Sequence, residues 1–136
     1  MEEDKKKIYH LYVLLWEDNK YYIGITAKSD PYKRIYEHMN GFYTAQWVKK
    51  YKVIRVIEML RLGEITHEAA EEYENKRTLQ YMGKCGYQNV RGGKFNYSGK
   101  YVKIGDRFWR DAEFKTLSVI LLLLMSVALL LIKDLR

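Results

Sequence analysis

The sequence predicts a small mixed α/β (α+β) fold followed by an apolar helix. Three observations carry this expectation: a strand–turn–strand pattern over residues 8–26, two helix-periodic segments flanking a β-rich stretch, and a charge-free run over residues 116–132. With 136 residues, ample apolar content and a single proline, the chain has room for one compact domain and little more.

Residues 8–16 mix β-branched and aromatic side chains with leucine, and the polar group Glu17-Asp18-Asn19-Lys20 follows. Residues 21–26 resume the apolar pattern, so the two runs read as a β-hairpin. In the second strand Tyr22 and Gly24 point one way and Tyr21, Ile23 and Ile25 the other. A glycine inside a strand marks a close backbone approach, by a ligand or by a neighbouring element.

Ser29-Asp30-Pro31 starts a helix, with Asp30 as cap and Pro31 at the first helical position. Tyr32, Ile35, Tyr36 and Met39 repeat at helical spacing and are predicted to face the sheet. Arg34 and His38, four apart, share another face. Asn40-Gly41 ends the helix. Residues 44–51 read as a loop with a short helical piece carrying Trp47 and Lys49-Lys50. Residues 53–62 read as a third strand, and Thr66 caps a longer helix running to about Met82 with acids in its first turns. Gly83 and Gly86 then punctuate the chain, and residues 87–94 (YQNVRGGK) read as a glycine-bearing basic loop.

The net charge is +7, and its placement is informative. From Lys76 to Arg110 the cations Lys76, Arg77, Lys84, Arg91, Lys94, Lys100, Lys103, Arg107 and Arg110 face the single acid Asp106. Interleaved Tyr87, Phe95, Tyr97, Tyr101, Phe108 and Trp109 suit a surface that tracks phosphates and stacks on bases, although charge alone fits a solvated face equally well. Just upstream, Glu64, Glu68, Glu71, Glu72 and Glu74 concentrate carboxylates where a cation could sit. One cysteine, Cys85, excludes an internal disulfide framework and a cysteine cluster for zinc, which fits a reducing, intracellular setting. Residues 1–7 are charged and no signal-peptide pattern follows them.

Residues 116–132 carry no charge and, as a helix, would reach about 26 Å against a hydrocarbon core of about 30 Å. Phe108, Trp109 and Phe114 precede this run, and Lys115 and Lys133 flank it, as interfacial anchors do. The alternative is a helix buried against the domain or against a second copy of the chain, which would make the protein a homo-oligomer. We favour a single-pass membrane anchor, with the more basic amino side remaining cytosolic.

Taken singly, the polar residues of the domain have ordinary readings. Glu74 and Arg77 fit an exposed helical pair, Arg34 and His38 a solvated helix side, and Tyr12 and Tyr22 half-buried strand tyrosines. His10 and His67 have no partner at metal spacing. Together, however, His10-Leu11-Tyr12, Tyr22-Ile23-Gly24, Arg34 with His38, Glu74-Asn75 and Asn89 resemble the GIY-YIG nuclease superfamily in order and spacing. The YIG signature is complete. The first signature is degenerate, with His10 in place of glycine and Leu11 in place of isoleucine, leaving Tyr12 as the functional match. Asn89 before Val90-Arg91-Gly92-Gly93 is similar to the end of stand-alone members found in large DNA viruses and mobile elements.

The resemblance spans roughly residues 9–95 and divides the chain into a catalytic domain (8–95), a basic aromatic extension (96–115) and the apolar helix (116–132). It implies a three-stranded antiparallel sheet flanked by helices and a divalent-metal-dependent endonuclease acting on DNA. It also implies roles for individual residues. Arg34 contacts the scissile phosphate, Glu74 holds Mg²⁺ (or Mn²⁺), and Tyr12 or Tyr22, assisted by His38, orients or deprotonates the attacking water. Asn89 supports the site or the DNA backbone. From the charge pattern, Lys49, Lys50, Arg91 and Lys94 are candidates for nucleic-acid contacts. The sequence shows no separate DNA-recognition module, so low or structure-based specificity is expected. Two other readings stay open at this level: a family-shaped domain that binds nucleic acid without cutting it, and a small membrane-anchored interaction protein.

Overall fold

The computed structural model describes residues 5–40 and 50–135, and the expected piece carrying Trp47 and Lys49 lies outside these. The chain divides into two compact units, residues 1–98 and 99–136.

The first unit is built on the hairpin predicted from the sequence. Strand β1 (Lys7–Trp16) pairs antiparallel with β2 (Lys20–Thr26), with Tyr12 opposite Gly24 and Leu14 opposite Tyr22. A single helical turn at Glu17–Asn19 joins them, and Asp18 and Asn19 adopt the left-handed backbone that such short polar residues tolerate. Strand β3 (Val53–Ile65) lies antiparallel on the other side of β1. The central position of β1 explains its composition: Leu11, Tyr12, Val13 and Leu14 are all buried.

The sheet has four strands rather than the three expected. Residues 90–92, within the segment read as a basic loop, form β4 (Val90–Gly92), parallel to β2, in the order β3-β1-β2-β4. Three residues are too few to leave an alternating pattern, and both faces of this strand are buried, so nothing in its composition marks it as a strand.

Helix α1 (Pro31–Met39) begins as predicted, with the Asp30 carboxylate accepting from the Tyr32 N–H at 3.0 Å and Pro31 in the first turn. Its orientation corrects the sequence expectation. Ile35 and His38 are buried, whereas Tyr32, Tyr36 and Met39 are exposed. The imidazole can turn inward because it meets a hydrogen-bond partner there, and the usual rule that aromatics face the core yields to that contact. Ile35 packs into a cluster with Tyr12, Leu14, Trp16 and Tyr22, with Tyr51, Val53, Val56 and Met59 at its margin.

Helix α2 (His67–Cys85) is capped by the Thr66 hydroxyl, which accepts from the Ala69 N–H at 3.2 Å. It runs three residues beyond the expected end, through Gly83, and stops at Gly86. Ala70, Glu74, Thr78 and Met82 form its buried stripe at spacings of four. The side chains of Tyr9 and Tyr21, on the sheet face opposite Tyr12 and Tyr22, contact His67 and Tyr81 of α2.

In the second unit, β5 (Tyr101–Ile104) and β6 (Arg107–Arg110) form an antiparallel hairpin. Helix α3 (Asp111–Asp134) follows β6 without an intervening residue, and the Asp111 N–H donates to the Lys100 carbonyl at 3.0 Å. Its 24 residues contain none that is buried, and the helix is long and apolar enough to cross a membrane.

Candidate active site

Adjacent strands and the inward side of α1 supply the centre of the site. Tyr12 on β1 and Tyr22 on β2 project from one sheet face, as their even numbering and the register require. Gly24, opposite Tyr12 and on the same strand as Tyr22, has no side chain, and the space a β-carbon would take is filled by the Tyr12 ring and hydroxyl. The close approach signalled by a glycine inside a strand is therefore made by a tyrosine of the same sheet. The Tyr12 hydroxyl lies 2.8 Å from His38 Nε2. Tyr22 stacks on Trp16 at 5.2 Å between ring centroids and meets the His38 ring edge-on at 5.2 Å.

These contacts fix the direction of the Tyr12 hydrogen bond. Burial pushes the Tyr12 phenol far above its ordinary range, so the hydroxyl keeps its proton. The Arg34 guanidinium, which has only donors, acts on the same phenol. With cationic donors on that side, Tyr12 turns its proton to His38 and donates to Nε2. Burial, with the neighbouring Arg34 charge adding to it, lowers the His38 pKa to about 4, so the ring is neutral near pH 7 and Nε2 can accept. His38 Nδ1 is buried and finds no partner among the described residues. Burial and the charge of Glu74 push Tyr22 up to about 12.

Arg34 is held by a carboxylate that the sequence reading did not single out. Its Nη1 donates to Glu37 Oε2 at 3.2 Å, and Glu37 also pairs closely with Lys28. The hydrogen bond from Lys28 leads in holding the Glu37 carboxyl below its ordinary range. The i,i+3 spacing of Arg34 and Glu37 was the available signal. Asn96, whose side chain acts on the Tyr22 phenol, lies far along the chain and gave none.

Glu74 comes to the site from α2. It is about nine-tenths buried, and burial raises its carboxyl pKa to about 7 against a weaker opposing hydrogen bond from the Gly93 backbone. The loop after β4 is fastened beside it, with Asn75 Oδ1 accepting from the Lys94 N–H at 2.9 Å. Gly93 has φ of +49°, and a β-carbon there would run into that Asn75 oxygen. Tyr12 and Tyr22 both feel the charges of Glu74 and Arg34. Tyr12, Tyr22, Arg34, His38 and Glu74 thus gather in one neighbourhood.

A divalent cation fits this donor set. Glu74 is a hard oxygen ligand whose burial disfavours bare charge, and a bound cation would relieve that penalty. Among the described residues no three His, Cys, Asp or Glu side chains cluster as a metal cage. An ion held by one carboxylate must complete its shell with water and substrate oxygens, which is how Mg²⁺ is commonly bound.

The candidate nucleic-acid contacts separate into two groups. Lys50 and Lys94 are exposed, each with its ammonium over an aromatic ring, Tyr51 at 5.5 Å and Phe95 at 5.2 Å. Lys49 lies outside the described residues. Asn89 and Arg91 instead serve the interior. Asn89 accepts from Lys20 Nζ at 2.6 Å and donates to the Cys85 carbonyl at the end of α2. Arg91 is buried and donates to the carbonyls of Tyr87, Val90 and Tyr97. Its charge pins the irregular chain around β4, a role that composition does not distinguish from phosphate binding.

No curated protein and no solved structure matches the chain. The family model of the GIY-YIG catalytic domain matches residues 8–88, more than half of the chain, and covers both tyrosine strands, α1 and α2. By that match the chain belongs to the GIY-YIG catalytic domain family, a family of nucleases.

Proposed function

We propose that the protein is a divalent-metal-dependent endonuclease that hydrolyses DNA phosphodiester bonds with low or structure-based specificity. The observation that carries this reading is the Tyr12–His38 hydrogen bond, set within reach of Arg34 and Glu74 on a family-matched scaffold. Arg34 binds the scissile phosphate, and its guanidinium stabilises the charge that accumulates on the phosphoryl oxygens. Glu37 holds that guanidinium in position.

The attacking water loses its proton to the Tyr12 oxygen as the phenolic proton passes to His38 Nε2. The relay suits a tyrosine whose pKa is raised by burial, because the phenol never has to exist as a free phenolate. The water oxygen bonds to phosphorus, the bond to the 3′ oxygen breaks, the departing oxygen takes a proton from solvent, and His38 then releases the proton it accepted. Tyr22 closes the apolar side of the site against Trp16 and His38. A cation on Glu74, when bound, would neutralise phosphate charge and favour departure of the 3′ oxygen.

Lys50 and Lys94 are the side chains we assign to the DNA backbone, joined by Lys49. Phosphate contacts position a duplex without reading its sequence, which supports weak sequence preference. We further read α3 as a single membrane span. At 24 residues it extends about 36 Å, enough for a hydrocarbon core of about 30 Å, and the cations at Lys100, Lys103, Arg107, Arg110 and Lys115 favour a cytosolic amino side.

The test is nicking of supercoiled plasmid by the full chain in detergent with Mg²⁺, beside its Glu74→Gln and Arg34→Ala variants. Cutting by the parent and by neither variant is expected. Equal cutting by all three would overturn the site assignment, and DNA binding without cutting by the parent would overturn the activity.

A further inference from the structure

The β5–β6 hairpin lies in the stretch whose charge and aromatic content first suggested nucleic acid. Its structure favours a different partner. The hairpin carries Lys100, Lys103, Arg107 and Arg110 against the single acid Asp106, and all four cations are exposed. Its register sorts the strands into two faces. Val102, Ile104, Arg107 and Trp109 share one, and Tyr101, Lys103, Phe108 and Arg110 the other. On the second face the rings are engaged with each other, Tyr101 edge-on to Phe108 at 6.3 Å and Lys103 over Phe108 at 5.8 Å. The first face presents Ile104, about half exposed at the hairpin turn, beside Arg107. Trp109 on that face lines a shallow groove with Ala112, Glu113, Thr116 and Leu117 of α3.

The hairpin is joined to the apolar helix with no linker. Arg110 is both the last residue of β6 and the residue preceding the first turn of α3, and the Asp111 N–H is bonded back to Lys100. Arg110 lies six residues before Thr116, where the uncharged run begins, or about 9 Å along a helix. The headgroup layer on each side of a bilayer is about 5–8 Å deep. With α3 inserted, the hairpin is therefore brought to the depth of lipid phosphates.

We propose that the β5–β6 hairpin is a lipid-headgroup platform that stands within the headgroup layer of an anionic leaflet, the cations of its two faces reaching lipid phosphates on either side and Ile104 and Trp109 resting in the interfacial layer. This rests on the reading of α3 as a membrane span and adds to it a preference for anionic lipid. Basic side chains on an amphipathic surface suit this arrangement, since their stems lie along apolar groups while their charges reach the phosphates.

The full chain, reconstituted into lipid nanodiscs of phosphatidylcholine alone or with phosphatidylglycerol, tests this with a water-soluble amine reagent and peptide mass spectrometry. Lys103 is expected to react at least about fivefold more slowly in the anionic discs, the protection given by one surface cation's worth of attraction. High salt, or the double variant Arg107→Gln/Arg110→Gln, should remove the difference. Bromine-labelled lipid should quench Trp109 fluorescence, measured as the difference from Trp109→Phe, more strongly in the anionic discs. If the chain stays with both kinds of disc while Lys103 reactivity and Trp109 quenching are unchanged between them, the platform is overturned and the span stands. If the chain leaves the discs once detergent is removed, the span fails and the platform with it. Protection of Lys103 by duplex DNA and not by anionic lipid would overturn the platform in favour of a nucleic-acid surface.

Discussion

The Tyr12 hydroxyl donates to His38 Nε2 across 2.8 Å, joining the central strand of the sheet to the inward side of the first helix. The two side chains depend on each other. The imidazole tolerates burial because the phenol bonds to it, and the buried phenol, reluctant to ionise, has a neutral acceptor for its proton. Removing either member should therefore break proton transfer without removing phosphate binding. Tyr12→Phe and His38→Leu are each expected to slow plasmid nicking by about 10²-fold or more, the usual scale for a lost proton-transfer group. The double variant should be little slower than either single one, since both act in one relay. Filter binding at low salt should show DNA affinity nearly intact in all three, and additive losses in the double variant would argue against a shared path.

Gly24 gives a second, steric test of the same centre. A methyl group at this position would occupy the space of the Tyr12 ring, in a packed core where neighbours have little freedom to move. Gly24→Ala should destabilise the domain by roughly 1–3 kcal/mol in urea unfolding. It should also reduce cutting in the fraction that remains folded, because the ring can yield only by shifting its hydroxyl away from His38. At Gly93 the left-handed backbone and the Asn75 oxygen both oppose a β-carbon. Gly93→Ala should loosen the Glu74 carboxylate and weaken the response to Mg²⁺ more than it weakens DNA binding. Unchanged Mg²⁺ dependence in that variant would separate the loop from the metal site.

The burial of Glu74 and His38 sets opposing pH dependences. Folding lowers the His38 pKa from 6.5 to about 4, so between these values the unfolded chain binds more protons and stability rises with pH. Folding raises the Glu74 pKa from 4.5 to about 7, so across that window the folded chain binds more protons and stability falls with pH. Each effect is worth about 3 kcal/mol when complete, and the two nearly cancel from pH 4.5 to 6.5. Glu74→Gln should expose the rising limb and His38→Gln the falling one. Urea titrations at pH 4.5, 5.5 and 6.5 read the slopes directly, and parallel slopes in both variants would sink this assignment. Above pH 7 the parent carries the cost of an ionised buried carboxylate. Mg²⁺ should therefore raise its melting temperature more at pH 8 than at pH 5, and not at all in Glu74→Gln.

Much of this arrangement was legible in the sequence because local rules and the site agreed. The hairpin, the Asp30-Pro31 and Thr66 helix starts, and the pairing of Tyr22 with Gly24 on one face of the second strand follow from patterns spanning a few residues. The orientation of α1 did not follow, because it is decided by a bond between His38 and a strand 26 residues earlier, against the apolar character of Tyr32, Tyr36 and Met39. Strand β4 and the interior duties of Asn89 and Arg91 were hidden for a related reason. Both depend on how the chain around β4 meets β2 and the end of α2, contacts that no short-range periodicity encodes. A basic side chain that satisfies buried carbonyls and one that waits for a phosphate look alike in composition. Only the fold tells them apart.

The apolar helix offers the sharpest test of the second unit. Ser118 and Ser126 turn their hydroxyls back onto the Phe114 and Leu122 carbonyls, so neither leaves an unsatisfied polar group on the helix surface, which is what a hydrocarbon environment demands. A single charge near the middle of the span should undo this. Leu124→Lys is expected to cost about 2.5–3.5 kcal/mol of insertion free energy and to move a substantial share of the chain into the alkaline-carbonate supernatant of membranes from expressing cells. Leu124→Ala keeps the helix apolar and should leave the chain in the pellet. The same pair separates a span from a helix that packs on a second copy in water. An aqueous dimer would show the parent in the supernatant from the start, and Leu124→Lys would change only its oligomeric state.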